Sequence, residues 1–417
     1  MDKVNLESLL LFDNIRLDKI IDFGIKIYNE YTYRDYISYM EFEYYNVQRM
    51  LLNQKDKTEI SGTYWQDYIC RLVAESENKF SIKCEQKWDD DKIDSIAEKE
   101  IACIKQIYNI EWDTIAKCFK DEASSICSSN TTYKGRRREK LHEALSKTSD
   151  KETLSLIKEF YEKNYCGTFE KYDAFIWDKE LVGLESFDKV DFKNIIGYET
   201  QKKAIIENTE YFLKGYRANN VLIYGDKGTG KSSCVKALVN HFKDQKLKII
   251  ELSKDSIDEL YKIMEQISQR GCKFIIFIDD LSFEENESSY KHFKSVLEGG
   301  LLALPRNVLL HVTSNRINII REMWSDRNGI INDVHVKDNF QERLSLADRF
   351  GLTITFTQPD KNEFLEIVKG LAILEKIKLD QETLISEALK WEMRYHSKSG
   401  RTAKQFINYI SAREGNK

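Results

Sequence analysis

Proline is nearly missing from this sequence: Pro305 and Pro359 are the only two in 417 residues. Neither falls in the first 304 positions, so no proline interrupts a helix there. Long hydrophobic runs are missing as well. Nothing approaches the roughly 18 consecutive apolar residues that a membrane-spanning helix needs. The opening MDKVNLESLLLFDNIRLDKII breaks its LLLF with acids and offers no small-residue cleavage site, so neither leader nor membrane anchor is expected. The eight cysteines (70, 84, 103, 118, 127, 166, 234 and 272) form no C-x-x-C pair and have no neighbouring histidine. That excludes a sequence-encoded zinc site and points to reduced core thiols and a cytoplasmic location. An excess of positive charge is missing too. With 64 basic and 69 acidic residues the formal net charge is −5, which gives no overall pull on nucleic acid or anionic lipid.

Hydrophobic residues make up 41% and charged residues 32%, the balance of a globular chain with room for two or three domains. Residues 1–165 read as a helical region, a candidate for binding a partner. Tyrosines in YNEYTYRDYISYMEFEYY (28–45) recur at a spacing of three (28/31, 33/36 and 36/39), and tyrosines at helical spacing would line one face. A nucleic-acid stacking platform would need a basic groove beside them. Residues 1–50 instead hold six Lys/Arg against nine Asp/Glu, so core or partner surface is the better reading. The run KGRRREK (134–140) is the sharpest basic cluster and reads as a solvated helix start.

Residues 166–191 read as a connector. The texture then changes: strand-like runs at 220–224, 248–252, 273–278, 307–313 and 352–356 alternate with helical patterns, as in a parallel α/β sheet. The expected layout is an α/β core over 192–358 and a small helical lid over 359–417, the latter with three helical stretches and no strand.

Within that core, LIYGDKGTGKSS fits the pattern G-x-x-x-x-G-K-[ST] between a strand and a helix. Glycines there let backbone N–H groups converge on phosphate oxygens, and the helix N-terminus adds its positive end. The whole run Gly225, Asp226, Lys227, Gly228, Thr229, Gly230, Lys231, Ser232 and Ser233 is the candidate ATP clamp. Lys231 would reach the β- and γ-phosphates, and the Ser232 hydroxyl would ligate Mg²⁺. Further on, KFIIFIDD ends an apolar strand in Asp279-Asp280. Carboxylates at the end of a buried strand need compensation, which Mg²⁺ would give Asp279, leaving Asp280 to polarise the attacking water. The next strand ends in Thr313-Ser314-Asn315, whose amide would lie beside the γ-phosphate and help orient that water.

In series, these stretches resemble an AAA+ ATPase: IIGYETQK (195–202), the P-loop, the Asp-Asp strand, the Asn315 strand tip, LADRFG (346–351) and SGRTAKQF (399–406). The nearest resemblance is to a bacterial AAA+ family known mainly as a domain of unknown function, carried by NTEYFLKGYRANNVLIYGDKGTGKSS, FIDDLSFE and SGRTAKQF over about 170–417. The resemblance implies a P-loop core with a five-stranded parallel sheet. It implies that Ile196 and Gly197 help form the adenine pocket and that Arg349 is an arginine finger reaching into a neighbouring subunit. Arg401, with Lys404 as the alternative, would be the lid cation that senses the γ-phosphate. Most AAA+ proteins carry Asp-Glu where this chain has Asp279-Asp280, so either Asp280 works through a shifted water or Glu284 takes the role of base.

The expectation is therefore an ATP-hydrolysing protein that uses subunit-shared sites in a homo-oligomer to remodel or load an unidentified protein client, with no membrane role. Nucleic acid is left open as a partner without support from the residues. The rivals are an ATP-binding switch that does not hydrolyse, and a P-loop small-molecule kinase.

Overall fold

Both prolines sit at element boundaries. The Pro305 carbonyl accepts the Val308 N–H at 3.0 Å just ahead of a strand. Pro359 precedes Asp360, which caps a helix through a reciprocal pair with Glu363. The structure is a computed structural model that describes residues 3–33, 38–53, 62–120, 138–188, 190–283, 288–298, 304–315, 347–395 and 398–415. Two units emerge: residues 1–171 with 269–271, and residues 172–268 with 272–417.

The first unit is helical. Its longer helices are α1 (Lys19–Tyr33), α2 (Glu41–Leu52), α3 (Tyr64–Ala74), α4 (Asp91–Tyr108) and α5 (Asp150–Asn164). They bury one core that includes Phe12, Trp65, Ile104, Phe160 and Tyr161. Among the described residues the tyrosine-rich stretch is not one helix: α1 ends at Tyr33, a 3-10 turn covers Ser38–Met40, and α2 starts at Glu41. Tyr44 is fully buried and stacks on Phe119 at 4.5 Å, while Tyr39 and Tyr45 are exposed. Most of KGRRREK lies outside the described residues; Arg138 is buried, 3.6 Å from Asp67.

Two charged groups are fixed inside this unit. Glu100, 3% exposed, accepts the N–H groups of Leu10, Leu11 and Phe12. The Arg270 guanidinium pairs with Glu85 at 2.6 Å, donates to the Cys166 carbonyl at 2.9 Å and lies over the Phe169 ring.

The second unit is built on a seven-stranded sheet of order β2-β1-β4-β5-β6-β3-β7. Its strands are β1 (Ala174–Asp178), β2 (Glu180–Gly183), β3 (Val221–Gly225), β4 (Lys248–Glu251), β5 (Phe274–Ile278), β6 (Val308–Ser314) and β7 (Leu352–Phe356). Only β1 and β2 pair antiparallel; every other neighbour is parallel. Five strands fall within about a residue of the expected runs, and the expected total of five is corrected to seven. The additional hairpin lies in the stretch read as a connector. Its strands are short, and Lys179 makes the turn at φ +62°, so no Asn-Gly or Asp-Gly signal marks it.

β5 and β6 are buried throughout, as strands covered on both faces must be. Helices α6 (Glu199–Leu213), α7 (Lys231–His241), α8 (Leu260–Ser268) and α9 (Ser288–Glu298) connect or flank the strands. The chain leaves β3, crosses to β4 three places away and returns through β5 and β6 to β3's flank. This puts a topological switch point at the carboxyl end of β3, where open α/β sheets bind ligands. After β7, helices α10 (Lys361–Leu374), α11 (Gln381–Tyr395) and α12 (Gly400–Arg413) bury a separate small core around Phe364, Ala388, Phe406 and Ile410.

Candidate functional site

Gly225 ends β3 at φ +138°, and a Cβ there would lie 1.9 Å from the Phe356 carbonyl oxygen, so only glycine lets β3 and β7 close up. Gly230 caps α7 at φ +102°, and the Thr229 hydroxyl donates to the Asp226 carbonyl at 2.9 Å, folding the loop over the helix start. Lys231 follows directly. It is buried, and its Nζ donates to the carbonyls of Gly225 (2.8 Å) and Asp226 (2.7 Å) and to Asn315 Oδ1 (3.0 Å). Burial pulls its ammonium below the ordinary lysine range, opposed by the charges of Asp280, Asp226 and Asp279.

β5 is covered through Ile278, and coverage stops there: Asp279 is half-buried and Asp280 exposed. The carboxylates are thus less desolvated than a buried strand end suggests. Asp279 Oδ1 accepts from Ser232 Oγ at 2.6 Å and from the Thr313 hydroxyl. Thr313 Oγ1 in turn accepts the Asp280 N–H at 2.8 Å. Asp280 adopts φ +50°, a left-handed conformation that aspartate and asparagine tolerate better than most residues. Its carboxylate accepts from Asn315 Nδ2. Asn315 therefore bridges Lys231 and Asp280.

These groups open on a cavity of about 550 Å³. Its far wall comes from the small helical core. Arg401 and Lys404 on α12 both line it, together with Gln405 and Asn408. The Arg401 N–H donates to the Gly228 carbonyl at 3.1 Å, which ties the start of α12 to the P-loop. On the third side, Ile195 joins the core beneath the sheet, whereas Ile196 packs on the small helical core, with Gly370 leaving it room. Tyr198 lies tilted against Phe356 with ring centroids 4.7 Å apart and donates to the Thr357 carbonyl at 2.8 Å; burial pushes its phenol up to about 12.

Of the residues singled out from sequence, Ile196, Lys227–Ser233, Asp279, Asp280, Asn315, Arg401 and Lys404 line this one cavity. Gly225, Asp226 and Gly197 stand behind it. Gly225 permits the close approach of β7, the Asp226 carboxylate accepts the Gln358 N–H at 2.8 Å, and Gly197 turns the chain at φ +82°. Glu284 lies outside the described residues. Arg349 is elsewhere. It precedes β7 at the end where Leu352 pairs with Val221, whereas the P-loop leaves the opposite end, where Phe356 pairs with Gly225. Four residue steps of β7 alone span about 13 Å. Arg349 pairs instead with Glu298 at 2.6 Å.

Sequence reasoning missed Thr313 as the group that holds both aspartates, although it stands two residues before Asn315. It also missed Gln405 and Asn408. Their spacing from Arg401, four and seven residues, is the helical signal that would have found them.

The oxygen set suits Mg²⁺: one carboxylate and one hydroxyl, already hydrogen-bonded to each other, with space beside them for phosphates. Among the described residues no group of three or more His, Cys, Asp or Glu is placed to hold a metal. A divalent ion here would depend on phosphate oxygens for the rest of its shell.

The sheet order, the glycine-rich turn into α7, the paired aspartates at the tip of β5 and the helical lid define an α/β AAA+ P-loop NTPase fold. Within that class, the chain belongs to the family described as "Protein of unknown function (DUF815)", whose model matches residues 170–414. It is similar to the chromosomal replication initiator protein DnaA of Mycoplasma capricolum, 24% identical over 268 residues, covering 60% of this chain and 54% of that protein. It is also similar to a putative 26S proteasome regulatory subunit homolog of Methanocaldococcus jannaschii, 26% identical over 194 residues, covering 44% and 48% respectively. The chain thus spans about half the length of the curated relatives it matches. Among solved structures, the Holliday junction branch migration motor RuvB of Thermotoga maritima aligns with a TM-score of 0.34 at 14% identity, covering 53% of this chain and 71% of that one. No helix of the described residues is long and apolar enough to cross a membrane.

Proposed function

We propose that this protein binds and hydrolyses ATP with Mg²⁺ at the β3–α7 cavity, and that each site is completed by Arg349 of a neighbouring subunit in a homo-oligomer. The observation that carries the reading is one of placement. Lys231, Ser232, Asp279, Asp280 and Asn315 meet at one end of the sheet, and the candidate finger stands at the other end. An arginine so far from its own P-loop serves a second copy's site or serves none.

In this reading the P-loop amides and Lys231 hold the phosphates, and Ser232 and Asp279 hold Mg²⁺, which would offset charge on the β- and γ-phosphates. Asp280 takes the proton of the attacking water, held in place by Asn315. Arg401 or Lys404 faces the terminal phosphate from the lid. The client is a protein moved by ATP-dependent rearrangement. One observation favours a second reading, a switch that binds ATP without turnover: the Asp280 carboxylate is one methylene shorter than glutamate and is already hydrogen-bonded to Asn315.

Phosphate release without an added acceptor decides among these readings, since a small-molecule kinase would stay idle and a switch would bind but not turn over. Lys231→Ala should lose measurable nucleotide binding. Arg349→Ala should bind normally and hydrolyse about 10³-fold or more slowly. Mixing the two should restore part of the activity, because an intact P-loop then meets an intact finger. A fully active Arg349→Ala variant, or no recovery despite proven mixed assembly, retires the shared site.

A further inference from the structure

Arg349 does not stand free at its end of the sheet. Its Nη2 lies 2.6 Å from Glu298 Oε1, at the last residue of α9, while its buried Nε finds no partner among the described residues. The guanidinium is thus held through one edge. α9 follows the segment that carries Asp279 and Asp280, and a buried aromatic row joins it both to that segment and to the residue beside Arg349. Phe283, three residues beyond Asp280, meets Phe293 of α9 with ring centroids 6.0 Å apart, and Phe293 meets Phe350 at 6.3 Å. All three side chains are at most 4% exposed. Phe350 is the residue next to Arg349.

We infer that Glu298 is the positioning residue for Arg349, and that α9 with its phenylalanine row ties the finger's aim to the aspartate segment of the same subunit. The inference rests on the shared-site reading above. Its physical basis is that close-packed aromatic cores transmit displacement instead of absorbing it. A shift of the segment that carries Asp280 moves Phe283, Phe293 and α9 together, and Glu298 carries Arg349 with it. The finger given to one neighbour would thereby report the state of the site that gives it. The ion pair itself adds little to folding, since both partners are partly exposed. Its value is aim, and a misplacement of about 1 Å in a catalytic group can cost about 10²-fold.

The test is a complementation matrix on the full-length chain with Glu298→Ala and Glu298→Gln, the second keeping the side chain's size if the first fails to fold. Either should leave ATP affinity unchanged and lower kcat about 10- to 100-fold, with Glu298→Asp recovering part of the loss. Mixed with Lys231→Ala, whose Glu298 and Arg349 are intact, activity should recover. Mixed with Arg349→Ala it should not, because no interface then holds both a competent P-loop and an aimed finger. Unchanged or raised turnover in the Glu298 variants overturns the inference, and so does recovery with Arg349→Ala. Failure of the parent reading looks different: the pair Arg349→Ala and Lys231→Ala would then not complement each other, whatever Glu298 does.

Discussion

Buried charge is closed off inside the first unit, as Lys248 is on Asp173 in the second, but at one site of the second unit it is left open. In the first, Glu85 is fully covered and receives the Arg270 guanidinium on both oxygens, and Glu100 is closed by three backbone N–H groups. Every one of those bonds points inward. In the second unit the buried Lys231 ends among two carbonyls and a side-chain amide on the wall of a cavity, and Asp280 beside it is exposed. Closed networks hold a fold. Networks with one open side leave hydrogen-bonding capacity for a ligand, and a lysine whose charge is discouraged by burial gains most when an anion arrives.

Three measurements would break or sharpen that contrast. The largest effect is expected from Arg270→Ala. It strands the Glu85 carboxylate without its partner and should cost about 3–5 kcal/mol in chemical denaturation of the first unit. ATP affinity should stay as it was; a matching loss of affinity would mean the network is not purely structural. Asp280→Asn is expected to act the other way round. Asparagine accepts the left-handed backbone, so stability should change by less than about 1 kcal/mol, while turnover falls about 10²-fold with binding retained. If turnover survives, the base passes to Glu284.

The smallest effect belongs to His311, which is buried but uncharged. It is fully covered in β6, neither ring nitrogen has a partner among the described residues, and burial pulls the imidazole down to about 3. The unfolded chain, with a pKa near 6.5, takes up a proton that the folded chain refuses. The stability His311 contributes is therefore complete above about pH 6.5 and declines as pH falls toward 3. Between pH 7 and 5.5 the loss should be about 1 kcal/mol, and His311→Leu should remove that slope. An unchanged slope in the variant would show that another group titrates.

What the sequence made legible follows from how local each signal is. The P-loop and the Asp279-Asp280 strand tip are contiguous, so their chemistry could be read from spacing alone, and the alternation of apolar runs gave the five parallel strands. Thr313 was invisible because its function depends on register: β6 must lie beside β5 before the hydroxyl can reach Asp279. The β1–β2 hairpin was hidden by a lysine in its turn. Glu298 and Arg349 stand 51 positions apart, and an acid and a base at that distance have no sequence signal at all.

Ile195 and Ile196 carry a consequence for modularity. One belongs to the core beneath the sheet, and the other packs against Gly370 on the small helical core. A wall of the lid therefore comes from ahead of the P-loop in the chain, and the lid's border in space is not its border in sequence. A graft cut at Pro359 would carry three helices away and leave their Ile196 behind. Exchange of lids between relatives should succeed as a two-segment transplant and fail as a single splice.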